Sequence, residues 1–284
     1  MNKQNHRGLA AARVGLFAIA YVAALFAISV FSRFLPQIIS TSGLLLLTVI
    51  VPPLLAIGWR VFWDRKPIVT LGLQPVRTWV AEAVAGFAVA AVLVVGIFAT
   101  LGAGGWLTWR VHLAGRMTSP ILIALIIYLF LAALLVAVSE EFVFRGYVLR
   151  TVLNDWGAPV GIAVSAVLFG LAHAFNPGFN WLVGVNLGLA GALMGYAAVV
   201  YKNLWWPIGF HLAWNFFEGP VLGMPVSGLS PLSVSLFSTK IDGPAWLVGG
   251  AFGPEGGVAA TVALLLGVGW LWFLDRRRRA AGHA

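Results

Sequence analysis

Eight stretches of nearly unbroken apolar residues divide the chain, at about 14–31, 43–59, 80–101, 120–138, 158–174, 181–200, 204–218 and 257–274. Each is close to the roughly 20 residues a helix needs to cross a hydrocarbon core, and the polar residues gather between the stretches. This pattern predicts an all-α, polytopic membrane protein with about eight transmembrane helices, residues 1–284 forming one integral membrane domain. No small-residue cleavage site follows Phe31, so the first stretch reads as a retained span, not a signal peptide. No fixed-period repeat relates the two halves, unlike the inverted repeats of many transporters.

Two connectors stand out. Asp64 to Arg77 is polar, carries proline and is too short for a domain. The stretch from Gly219 to Gly257 is rich in Gly, Pro and Ser, and its length suits either a lid over a site or an exposed linker.

Composition agrees with the pattern. Charged residues make up 10% of the chain and mean hydropathy is +0.94, whereas in soluble domains charged residues alone make up about a quarter. The formal charge of +9 comes from Lys and Arg clustered beside the apolar stretches, a pattern that orients membrane helices. The expected partner is therefore the lipid bilayer, with no nucleic acid. If both termini are cytoplasmic, fourteen Lys and Arg fall on inner segments, and only Arg33, Arg110, Arg116 and Lys240 on outer ones. That asymmetry predicts a multi-pass plasma-membrane protein with both ends inside. Asp275 to Arg279 then reads as a stop-transfer anchor. With no cysteine, thiolate nucleophiles and Cys-based metal sites are excluded.

Candidate chemistry rests on few residues. His6 and His283 lie in the tails and His112 in an outer loop, which leaves His173 and His211 in apolar segments. Glu140 and Glu141 close the fourth stretch, and carboxylates there are costly unless used. Residues four apart share a helix face; this pairs Glu141 with Arg145, Phe169 with His173, and His211 with Asn215. Glu140 and His173 are equidistant from the Asp155–Ala158 turn, each roughly 21 Å along its helix, so an antiparallel hairpin brings them level. His211 lies only about 11 Å beyond the turn at Lys202 and Asn203. It reaches that level if the hairpin projects from the bilayer or the helices tilt. A carboxylate and an imidazole flanking a water can act as its general base. A second His with an amide one turn away can donate to the oxyanion that forms on a peptide carbonyl.

Glu140-Glu141-Phe142-Val143-Phe144-Arg145 resembles an EExxxR motif, Phe169-Gly170-Leu171-Ala172-His173 an FxxxH motif, and His211-Leu212-Ala213-Trp214-Asn215 an HxxxN motif. In this order, over about residues 120–218, they resemble the CPBP family, the CAAX prenyl protease and bacteriocin-processing (Abi) intramembrane endopeptidases. The resemblance implies an eight-helix fold with a polar cavity in the membrane. Glu140 and His173 would activate water, His211 and Asn215 would form the oxyanion site, and Glu141, Arg145 and Phe169 would support them. The substrate would be a peptide or membrane protein. The glutamate-type mechanism needs no cofactor; the alternative is a zinc enzyme with Glu140, His173 and His211 as ligands. A proton-coupled transporter or a non-catalytic scaffold of the same fold would also place such residues in the membrane. No H-E-x-x-H occurs, and the four aspartates fall outside the predicted spans. Gly184, Gly188, Gly191 and Gly195 would allow close helix packing, within the fold or between subunits.

Overall fold

The computed structural model describes residues 3–34, 37–74, 77–112, 119–229 and 235–280; Arg116 and His283 lie outside them. All eight apolar stretches are helical, as they must be where the bilayer offers the backbone no hydrogen-bond partner. The helices are α1 (Lys3–Ser32), α2 (Gln37–Gly58), α3 (Trp79–Ala103), α4 (Ser119–Glu141), α5 (Arg150–Trp156), α6 (Ala158–Ala172), α7 (Trp181–Val200), α8 (Trp205–Phe216), the short α9 (Ala245–Val248) and α10 (Val258–Ala280). Among the described residues, six helical spans are long and apolar enough to cross a membrane. The protein is thus a multi-pass membrane protein. The predicted stretches at 158–174 and 204–218 form the shorter α6 and α8.

Three departures from the predicted boundaries bear on the site. The fourth stretch does not stop at 138: α4, a π-helical segment Phe142–Leu149 and α5 form one continuous rod. The rod from Pro120 to Trp156 is 37 residues long, about 55 Å at 1.5 Å per residue, against a hydrocarbon core of about 30 Å; a rod of that length in a bilayer tilts, projects or does both. The last helix runs on to Ala280, which places Asp275 inside it. The buried Asp275 carboxylate is tolerated there because Tyr196 Oη donates to it at 2.6 Å and Arg279 pairs with it at 2.9 Å. Asp155, likewise expected outside a helix, lies in α5. Wide π turns also occur at Trp59–Trp63 and Phe217–Val221. Each of the three π segments holds a buried charged residue: Arg60, Arg145 and Glu218.

Gly157 (φ 83°) breaks the rod and sends α6 back antiparallel to it. Ser165 Oγ, donating to the Phe144 carbonyl at 2.8 Å, ties the two arms together. Helix α8 lies deepest, buried continuously from Trp206 to Trp214. It docks on α3 almost backbone to backbone: a Cβ on Gly209 would stand 2.0 Å from the Ala83 carbonyl oxygen, and one on Gly86 2.1 Å from that of Trp206. Asn203 Nδ2, donating to Glu82 Oε2 at 2.7 Å, fixes where α8 begins relative to α3. Of the α7 glycines, Gly191 and Gly195 serve internal packing, Gly191 against Ala166 and Gly195 against Leu149 and Ile162, whereas a Cβ on Gly188 would meet nothing within 4 Å.

The two ends of the bundle differ. At one, Arg150 Nη2 and Gln74 Nε2 both donate to the Lys202 carbonyl, at 3.0 and 3.1 Å, and Arg60 Nη2 donates to Thr151 Oγ1 at 3.4 Å. These bonds join segments that the basic-residue pattern assigns to a single side. At the other end, β1 (Leu107–Val111) and β2 (Phe237–Ile241) pair antiparallel, Leu107 opposite Ile241. They join the connectors assigned to the opposite side. The described part of the 219–257 stretch is folded onto the helices. Gly228 N donates to the Phe252 carbonyl at 2.8 Å, and Asn176 Nδ2 to the Ser227 carbonyl at 2.8 Å. A Cβ on Gly228 would stand 2.2 Å from the Pro177 carbonyl oxygen, so only glycine permits this approach to the α6–α7 connector.

Candidate active site

The antiparallel hairpin and the deep seat of α8 bring the sequence-predicted residues together. Glu140 Oε2 lies 4.0 Å from His173 Nε2 and 3.8 Å from His211 Nε2. These distances exceed a direct hydrogen bond, and each leaves room for a water about 2.8 Å from both partners. Both imidazoles are aimed through their other nitrogen. His173 Nδ1 is 2.9 Å from the carbonyl oxygen of Phe169, one turn earlier. A carbonyl only accepts, so Nδ1 carries the proton and, in the neutral ring, Nε2 is left as an acceptor toward Glu140. His211 Nδ1 is 3.0 Å from Glu141 Oε1 and donates to it.

Glu141 is fully buried, and its Oε1 also accepts from Arg145 Nη1 at 2.7 Å. Arg145 is equally buried, which rules out a snorkelling role. It donates through Nη2 to the Gly191 carbonyl at 3.2 Å and stacks 4.5 Å over the Phe169 ring. The π-helical turn beginning at Phe142 re-aims Arg145 inward; such turns recur at functional sites. Phe169 thus does three things: its carbonyl orients His173, its face receives Arg145, and its ring meets His211 edge-on at 6.0 Å. The tie from Glu141 to His211 crosses between helices, and the i, i+4 pattern alone did not show it.

Glu140, Phe169, His173 and His211 line a cavity of about 360 Å³, with Asn215 also on its wall. Elsewhere the lining is largely apolar, including Leu129, Val136, Leu187, Met194 and Leu264, the character expected of a pocket that buries an apolar ligand and orients it with a few polar groups.

Two acids that the motifs did not single out also belong here. Glu255, from the 219–257 stretch, lines the same cavity. Glu218 is buried beside it, against the Trp214 side chain and the Glu255 backbone. Glu218 could have been found from sequence: His211, Asn215 and Glu218 fall at i, i+4 and i+7, one helix face. Glu255 left no such signal, because only the folding of a long loop brings it in.

For the zinc alternative, the donor set is the test. Among the described residues, no group of three His, Cys, Asp or Glu side chains converges closely enough to hold a metal ion. The 3.8 and 4.0 Å separations are wider than the roughly 3.3 Å between ligands about 2.0 Å from a tetrahedral zinc.

In comparison with known proteins, residues 122–217 match the family model described as type II CAAX prenyl endopeptidase Rce1-like. That segment contains all three motifs. No curated protein matches the chain.

Proposed function

We propose that the chain, whose residues 122–217 match the Rce1-like CAAX protease family model, hydrolyses a peptide bond within the membrane using water activated by Glu140 and His173. The observation that carries this reading is the convergence of two imidazole Nε2 atoms on one oxygen of Glu140. Water held at that apex gives a proton to Glu140, and its oxygen attacks the carbonyl carbon of the substrate. Its hydrogen bond to His173 Nε2 fixes its orientation. His211 Nε2 and the Asn215 amide supply donors to the oxyanion. Because Nδ1–H of His211 is already given to Glu141, its Nε2 donates when the ring is protonated at both nitrogens, a state supported by the carboxylate at 3.0 Å. Glu141, Arg145 and Phe169 hold this geometry and do not touch the reacting atoms.

The substrate in this reading is a membrane-associated protein or peptide, and the apolar cavity suits an apolar segment or lipid-modified residue beside the scissile bond. The basic-residue asymmetry supports a plasma-membrane location with both termini cytoplasmic. The reading assigns no cofactor. The test uses the full chain, purified in detergent, with a quenched fluorogenic peptide ending in a farnesylated cysteine and three further residues. Wild-type cleavage should survive chelation and fall at least about 10³-fold in Glu140→Gln. Equal cleavage by both proteins sinks the assignment of Glu140. Loss on chelation with recovery on added zinc would establish the metal-dependent form instead.

A further inference from the structure

The stretch between α8 and α10 carries a second acid, Glu255, into the cavity that Glu140 lines. Its backbone is pinned: Asn186 Nδ2 donates to the carbonyls of Glu255 and Gly257 at 2.7 and 2.9 Å, and Thr261 Oγ1 donates to Asn186 Oδ1 at 2.7 Å. Its side chain is pinned through one oxygen only. Glu255 Oε2 accepts from Ser227 N at 2.6 Å and from Ser227 Oγ at 3.0 Å, and neither bond uses Oε1. Ser227 itself adopts φ 50°, in the left-handed region that non-glycine residues rarely enter. His173 and His211 face Glu255 electrostatically, and Glu218 lies against it. Burial pushes the Glu255 carboxyl up, against the opposing pull of Ser227 and the two imidazoles.

Amide hydrolysis needs two opposite proton movements. One group removes a proton from water, and another protonates the departing nitrogen, since an amide anion is too basic to leave. Carboxyl groups in unlike surroundings are a common way to divide these tasks. Glu140, between two imidazoles, is placed for the first. We propose that Glu255 is the general acid of this reaction, donating the proton on Oε1 to the amide nitrogen as the C–N bond breaks. The proposal rests on the reading of Glu140 and His173 as the water-activating pair.

The balance is complete within the site. Water gives one proton to Glu140, and its oxygen bonds to the carbonyl carbon, leaving a tetrahedral oxyanion. That oxyanion reforms the carbonyl and expels the C–N electron pair to nitrogen, which takes the Glu255 proton. The products are a carboxylic acid and an amine. The proton held by Glu140 then passes to Glu255 through cavity water, which restores both groups.

The test compares two substrates: the farnesylated peptide above and its depsipeptide twin, in which an ester replaces the scissile amide. An alkoxide leaves with far less need of a proton. In Glu255→Gln, which keeps an oxygen to accept from Ser227, amide cleavage should fall about 100-fold or more and ester cleavage less than about 5-fold. Glu140→Gln should lose both. Equal losses on the two substrates in Glu255→Gln overturn the general-acid role and leave the Glu140 reading standing; unimpaired cleavage of both by Glu140→Gln overturns the two together. Absence of cleavage of either substrate by the wild type also counts against both. If Glu255→Gln does not accumulate as folded protein, Glu255→Asp carries the test. It keeps the acid but retracts it by one methylene, and should show the same amide-selective loss in milder form; a loss equal on both substrates overturns the proposal there too.

Discussion

Replacing Gly209 with alanine should disable the site without touching any group that lines it. The added methyl would stand 2.0 Å from the Ala83 carbonyl oxygen, about 1 Å inside the closest approach that packed atoms allow. The obstacle is backbone in α3, so no side chain can swing aside and the two helices must part by about that 1 Å. His211 lies two residues along the same helix, its Nδ1 only 3.0 Å from Glu141 and its Nε2 3.8 Å from Glu140. A displacement of that size breaks the first contact and distorts the second. The expected cost is about 1–3 kcal/mol of stability from overpacking and roughly 100-fold in kcat/KM from misplacement of the reacting groups. Peptide cleavage and thermal unfolding should be measured on the same detergent preparation. Gly96→Ala is the control, because a Cβ there meets nothing within 4 Å. A folded Gly209→Ala protein with wild-type kcat/KM would refute the argument that the α3–α8 contact sets the position of His211.

Glu141→Gln should destabilise the fold by about 3–5 kcal/mol, because it leaves the fully buried Arg145 without its counter-charge; denaturant titration reads this, and a loss under about 1 kcal/mol would mean that the Gly191 carbonyl suffices. Asn186→Leu removes two bonds to the 249–257 segment, worth about 1 kcal/mol each. Amide exchange in that segment should then quicken at least about tenfold while the protection of α8 is unchanged, and unaltered exchange would show that the segment is held by other contacts.

The helices were readable because apolar stretches in a bilayer have little choice of structure, and the three motifs pointed to residues that do meet. Glu140 and His173 came level across the Asp155–Ala158 turn as their equal spacing suggested. Other relations depended on tertiary structure. The length of the α4–α5 rod was hidden because Glu140, Glu141 and Arg145 interrupt the apolar run while the helix passes through them unbroken. The bond from Glu141 to His211 joins residues 70 apart and follows from the depth of α8, which is set by glycine contacts whose pairing no periodicity reveals. Glu255 enters the cavity by way of a Gly- and Pro-rich stretch that reads equally well as linker or lid. Asp275 looked like part of an anchor outside the span, since the Tyr196 hydroxyl that shares its burial with Arg279 comes from a neighbouring helix.

The wide turn at Phe142–Leu149 has a consequence for how the motif can vary. A π turn holds one residue more than the α-helix it interrupts, and one residue corresponds to about 100° of rotation. The acids at Glu140 and Glu141 lie just before that turn, while the arm that joins α6 lies just after it. The turn therefore acts as a phase shifter: it sets the azimuth of the acids relative to the histidines independently of the helix axis. Losing a single residue from 142–149 would heal the helix locally, yet turn the two carboxylates away from the cavity by more than a quarter revolution.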